Sequence, residues 1–119
     1  MLTSAQIAAI AARALEEKKA HDVKVLKTEA QTVLADYFVI CNGSSSTHIK
    51  ALVDEVDKQL SEAGEPPIRR EGLRSDIWVL MDFGSVIVHV FTDEARKFYN
   101  LERLWSDAET VDPSSLPCP

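Results

Sequence analysis

The chain has 119 residues, 45% of them hydrophobic and 27% charged, the balance of one globular domain that can bury a core without a disulfide or metal staple. Asp plus Glu number 19 against 13 Lys plus Arg, a net charge of −6, which argues against a protein whose main task is to grip phosphate backbones. No apolar run approaches the roughly 18 residues of a membrane span, and the many periodic apolar residues argue against a disordered chain.

The first predicted element is a helix from about Ser4 to Lys19. Thr3 and Gln6 form a T-x-x-Q capping box, and Ile7, Ile10, Ala11, Ala14 and Leu15 make one apolar stripe. Glu16 and Glu17, and the lack of a basic stretch ahead of it, distinguish this segment from a signal peptide, so a cytoplasmic location is the default. His21 reads as a loop residue and Val23 to Leu26 as a short first strand. Asp36 to Asn42 is a second strand whose continuous apolar run, Cys41 included, suits a central, doubly covered position. Gly43 and three serines end it and start a second helix. Its stripe of Ile49, Leu52, Val53, Val56 and Leu60 runs to about Ala63, where Gly64 and then Pro66-Pro67 stop it. Ile68 to Glu71 reads as a short edge strand, since prolines are tolerated at such a margin.

Ile77 to Asp82 and Ser85 to Phe91 read as a β-hairpin about Phe83-Gly84. Asp93 is the predicted cap of a short helix through Phe98, and Leu101 to Trp105 continues as a helical turn or two. The folded domain is expected to span residues 1–108, with a disordered tail at 109–119 that contains three prolines. The order of elements suggests an α/β sandwich, of two or three layers, around a mixed sheet of about five strands.

Alternation along the hairpin separates two faces. A two-residue turn at Phe83-Gly84 pairs Trp78 with His89 and Leu80 with Ile87. Ile77, Val79, Met81, Val86, Val88 and Val90 then form a purely aliphatic face that belongs under the helices. The opposite face carries Trp78, Leu80, Asp82, Ser85, Ile87, His89 and Phe91. It is either a second core layer or an open apolar patch with polar punctuation, and such a patch marks an interaction site.

Catalytic readings are weak. Ser44, His48 and an acid could be imagined as a triad, yet no G-x-S-x-G elbow is present and hydroxyls at a helix start are usually caps. Gly43-Ser44 followed by Asp54 and Asp57 has the flavour of a nucleotidyltransferase site. The acids, however, fall three apart on a helix rather than two apart on a strand, so a metal pair fails geometrically. Asp82-Phe83-Gly84 spells a kinase metal motif without its companions and reads as a turn. Arg69, Arg70 and Arg74 form a small cluster that suits a solvated face or acid pairing better than RNA binding. The two cysteines, Cys41 and Cys118, give neither a metal spacing nor a disulfide framework.

The ordered motifs DYFVICNGSSSTHIKALVDEV, Glu71-Gly72, WVLMDFGSVIVHVF and RKFYNLERLW resemble the ribosomal silencing factor family, the Iojap-related proteins, over roughly residues 5 to 108. One departure is Ser85, where family members often carry an acid. The resemblance implies an α/β sandwich distantly like nucleotidyltransferases without their active site, and a non-catalytic translation factor with no cofactor. It implies binding to the large ribosomal subunit through its protein number fourteen, at the intersubunit face, so that small-subunit joining is blocked. An assembly role and homodimers are also known among members. Trp78, Leu80 and His89 are the central candidate contacts, Asp82 and Phe91 lie beside them, and Glu71 and Tyr99 match family motif positions. An acidic protein suits a basic ribosomal protein better than RNA itself. A small nucleotidyltransferase-like enzyme, and a homodimer that uses the Trp78 face, are the alternatives.

Overall fold

The computed structural model describes residues 2–28, 35–73, 77–100, 103 and 108–116. The elements follow as α1 (Ser4–Glu17), β1 (His21–Lys27), β2 (Tyr37–Gly43), α2 (Ser46–Glu62), β3 (Arg69–Leu73), β4 (Trp78–Asp82), β5 (Val86–Thr92), α3 (Asp93–Tyr99) and β6 (Glu109–Val111). One mixed sheet has the order β3-β4-β5-β2-β1-β6. Its β2–β5 pair is parallel and the other pairs are antiparallel.

The helices begin where their hydroxyls satisfy first-turn amides. Thr3 Oγ1 accepts from the Gln6 N–H at 3.1 Å, and Gln6 Oε1 accepts from the Thr3 N–H at 2.9 Å, so the capping box is formed. Ser45 caps α2 by accepting from the His48 N–H at 3.1 Å. Thr92 rather than Asp93 caps α3, because Thr92 has the extended backbone and accepts from the Ala95 N–H; Asp93 is the first helical residue.

Helices α1 and α2 pack on one face of the sheet. Ala8, Ala11, Ala14, Leu15, Leu52, Val56 and Leu60 meet Val25, Val39, Cys41, Met81, Val86, Val88 and Val90 there. The run of small alanines lets α1 lie close against the strands and α2. The aliphatic hairpin face is thus the main core, as the alternation requires, except for Ile77, which stands 38% exposed just before β4. The short α3 lies on the opposite face, where Ala95 joins Leu26, Ala35, Phe38, Ile40 and Phe91 in a second cluster. Every residue of β2 is buried, and the Cys41 thiol is pushed up to about 12 by that burial, which makes it inert.

Several expectations change. The hairpin register is displaced by two residues: Trp78 opposes Phe91, Leu80 opposes His89 and Asp82 opposes Ile87. The Phe83 N–H donates to the Val86 carbonyl, so the turn residues are Gly84-Ser85 and Ser85 leaves the strand face. Gly84 has φ +85, which places the glycine first in the turn, where a positive φ is needed. A two-residue displacement keeps each remaining side chain on its predicted face. His21 lies within β1 rather than in a loop; a bulge between His21 and Lys24, with Asp22 at φ +47, accommodates it. The sheet has six strands because part of the supposed tail pairs: Val111 opposes Val25, Asp112 caps a 3-10 turn at Pro113–Ser115, and Leu116 packs on the core. Backbone pairing with an otherwise free edge of β1 orders this polar stretch over 109–116. The helical turn expected at 101–105 lies outside the described residues, apart from a helical Arg103, and Arg74 and Cys118 lie outside them altogether.

Candidate interaction face

Three rows of side chains cross the sheet on the α3 side. Glu71, Leu80, His89 and Ile40 form one row. Trp78, Phe91 and Asn42 form the next, and Arg69, Asp82, Ile87 and Phe38 the third. The register brings six of the seven predicted residues, Trp78, Leu80, Asp82, His89, Phe91 and Glu71, onto this face, and α3 adds Tyr99 from above.

The rings interlock. Trp78 stacks on Phe91 with centroids 5.0 Å apart and meets Tyr99 at 5.0 Å. His89 lies parallel to Phe91 and edge-on to Phe38 at 5.2 Å. Trp78 donates its indole N–H to His89 Nδ1 at 3.2 Å. Indole can only donate, so Nδ1 holds a lone pair and the His89 proton sits on Nε2. Burial pushes the His89 pKa down to about 4, and its Nε2 has no hydrogen-bond partner among the described residues. The histidine is therefore neutral.

These residues divide by depth. Phe91 is fully buried and His89 nearly so, and they form the floor beneath the face rather than its contact surface. Trp78, Leu80, Ile87 and Tyr99 are half-buried and form its apolar top. The face is thus neither closed over nor bare, between the two readings of the sequence. Asp82 secures the hairpin: it accepts the Gly84 N–H at 2.8 Å and pairs with Arg69 Nε at 3.3 Å. Glu71 pairs with Arg69 at 3.3 Å on the same side. Phe98 is a residue the sequence reading missed. It is 81% exposed on α3 and meets Tyr99 edge-on at 5.0 Å, extending the apolar surface. The signal was available in helical spacing: with Ala95 and Tyr99 turned to the sheet, Phe98 must flank them.

A second polar centre was also missed. The buried Arg96 donates through Nη1 to Asn42 Oδ1 at 2.6 Å and to the backbone carbonyls of the β1 bulge at His21 and Asp22. Asn42 donates in turn to Asp93, which also pairs with His21 at 3.0 Å; these contacts hold the Asp93 carboxyl below its usual range. No pattern in the sequence marks a helix arginine as the clasp of a bulge on another strand.

The catalytic alternatives lose their geometry. His48 Nδ1 accepts the Ser44 N–H at 3.0 Å, and His48 Nε2 faces the Lys18 carbonyl at 2.8 Å. A carbonyl rather than a carboxylate thus orients the ring, and Nδ1, which also lies 3.3 Å from Ser44 Oγ, is already engaged by a backbone N–H. Asp54 and Asp57 both bind the Arg70 guanidinium, at 2.7 and 2.9 Å, and the Arg70 hydrogen bond holds the Asp54 carboxyl below its usual range. Arg69 and Arg70 are thus acid-pairing residues. Among the described residues no His/Cys/Asp/Glu group could hold a metal ion, and no helix is long and apolar enough to cross a membrane.

A family model described as "Ribosomal silencing factor during starvation" matches residues 2–118. The ribosomal silencing factor RsfS of Bacillus subtilis (strain 168) is 43% identical over 103 residues, covering 87% of each chain. The chloroplastic protein Iojap of Zea mays is 30% identical over 101 residues, covering 85% of this chain and 44% of its own. A crystal structure of a Chromobacterium violaceum protein superposes with a TM-score of 0.85 at 36% identity, covering 88% of both chains. Another, from Bacillus halodurans, gives 0.75 at 39% identity, covering 87% of this chain and 93% of that one. With the α/β sheet, the two-faced hairpin and these matches in agreement, the chain belongs to the ribosomal silencing factor family.

Proposed function

We propose that this protein binds the large ribosomal subunit through its ribosomal protein number fourteen and blocks small-subunit joining by occupying the space between the subunits. The half-buried Trp78 carries the reading: it stands at the centre of an apolar face, backed by Phe91 and His89 and flanked by Leu80 and Tyr99. A large aromatic on a rigid floor is the type of residue that concentrates binding energy. Glu71, Asp82 and Arg69 form a polar rim, and a net charge of −6 favours encounter with a basic protein over a direct grip on RNA. Steric occupancy needs no catalytic residue.

The test is a subunit-joining assay on sucrose gradients. Saturating protein is expected to leave the subunits uncoupled, and Trp78→Ala to lose at least tenfold in co-sedimentation with large subunits. Unchanged coupling at saturating wild-type protein would refute the silencing role, and unchanged binding of the variant would refute the face. The same apolar face could serve a homodimer; a monomer at the working concentration by analytical ultracentrifugation rejects that use.

A further inference from the structure

We propose that Glu71 and Asp82 form the seat for an arginine side chain of the docked partner, and that Arg69 fills this seat in the free protein and yields it on docking. The inference rests on the ribosomal reading for its partner. It adds a role for the rim: Arg69 is an internal competitor that holds the affinity of the face down.

The register builds the seat. Glu71 opposes Leu80 across the β3–β4 ladder, and Asp82 follows Leu80 by two residues on the same face. Leu80 is thus flanked by one carboxylate across the sheet and another along the strand. One guanidinium spans both: Arg69 reaches Glu71 through Nη1 and Asp82 through Nε, each at 3.3 Å. The molecule therefore displays the fit of a guanidinium to this pair. An ammonium is a point charge without that planar fork, so the pair selects arginine over lysine.

The occupant is exchangeable. The Arg69 side chain is 59% exposed, against 45% for Glu71 and 20% for Asp82, so it lies outermost and can leave without opening the core. Exposed pairs of this kind hold weakly. Asp82 keeps its place without Arg69, because its other oxygen accepts the Gly84 N–H at 2.8 Å. The seat is also under-neutralised. Two carboxylates face one cation, on a chain of net charge −6. A basic partner would bring a guanidinium whose apolar stem lies on the half-buried Leu80, beside Trp78. Docking would then exclude water from the new pairs and strengthen them over those that Arg69 makes in solvent.

The experiment measures equilibrium binding of the full chain to purified large subunits. Arg69→Gln is expected to bind about three- to tenfold more tightly than wild type, and the charge-matched Lys50→Gln, on α2, within about twofold of wild type. Glu71→Gln is expected to weaken binding, and to weaken it more in the Arg69→Gln background, where Arg69 no longer screens the acid. Weaker binding by Arg69→Gln would make Arg69 a contact in its own right and overturn the proposal. A gain no larger than that of Lys50→Gln, or an equal effect of Glu71→Gln in both backgrounds, would overturn it too.

A second readout needs no ribosome. The side-chain carboxyl signals of Glu71 and Asp82 are followed by NMR with acetyl-arginine-amide at high millimolar concentration. They are expected to move in Arg69→Gln, and much less in wild type or with acetyl-lysine-amide. Equal movement in all three cases would overturn the seat. Absence of wild-type binding to large subunits would refute the ribosomal reading, whereas the amide titration tests the seat by itself, so the two failures are told apart.

Discussion

Trp78 and His89 sit diagonally across β4 and β5, and the indole N–H reaches His89 Nδ1 at 3.2 Å. That bond fixes the tautomer and the charge of the histidine. A protonated ring would set a second donor against the indole N–H, within a layer formed by Phe38, Phe91 and Trp78.

The consequence is a defined acid sensitivity. The folded pKa of His89 lies near 4, below the ordinary 6.5. The unfolded chain therefore binds a proton that the folded chain refuses between those values, and stability falls as pH drops from 6.5 toward 4. The His89 contribution is fully present above pH 6.5 and about 2 to 3 kcal/mol smaller at pH 4.5. Urea unfolding at pH 7 and pH 4.5 is expected to show that extra loss in wild type and not in His89→Gln. Equal losses in both would exclude His89 as the origin.

Phe98 separates binding from stability. It is largely in solvent and touches Tyr99 edge-on, so Phe98→Ser is expected to change unfolding free energy by no more than about 0.5 kcal/mol. If the α3 side belongs to the docking face, the same variant weakens co-sedimentation with large subunits by several-fold. A stable variant with unaltered co-sedimentation would confine the face to β4 and β5.

Arg96 acts as a buried clasp. Its guanidinium satisfies Asn42 and two carbonyls at the β1 bulge. Arg96→Met keeps the apolar stem and strands these acceptors, a loss of about 3 kcal/mol. Hydrogen exchange is expected to accelerate first at His21 to Lys24, where the bulge loses its support. Uniform acceleration across the sheet would instead point to a general loss of packing.

Gly84 tests the turn. At φ +85, an added methyl group enters a backbone region that L-residues avoid, and its Cβ would lie 3.4 Å from Ile68 Cδ1. Gly84→Ala is expected to cost about 1 to 2 kcal/mol, read as a lower urea midpoint with an unchanged slope. No change in midpoint would mean that the turn adopts a different conformation.

The elements that the sequence made legible are those with one dominant physical cause. The Thr3–Gln6 box, a serine cap on α2, the α2 stripe ending at Gly64 and the largely apolar, fully buried β2 each follow from local chemistry. The two faces of the hairpin were legible too, since alternation survives a two-residue slip, whereas the exact pairing is set by where the glycine lies in the turn. The depth of the candidate site was hidden. His89 and Trp78 share a face and a spacing pattern, but His89 lies on the more central strand, enclosed by Phe38, Phe91 and Trp78, whereas Trp78 remains half-buried. β6 escaped notice because a polar three-residue strand carries no periodic signal and owes its order to the edge it finds on β1.

The single parallel pair at the middle of the sheet has a consequence for synthesis. β2 has one of its two neighbours, β1, as soon as residue 43 is made, but its other neighbour is β5, which ends at Thr92. Between them the chain must supply α2, β3 and β4, and the Val39–Val88 row cannot close until that length has left the exit tunnel. Until then one side of a strand that ends up fully buried lacks its ladder and its cover. A growing chain of this protein therefore carries an open sheet edge for nearly half of its synthesis, and its folding is a late, long-range event.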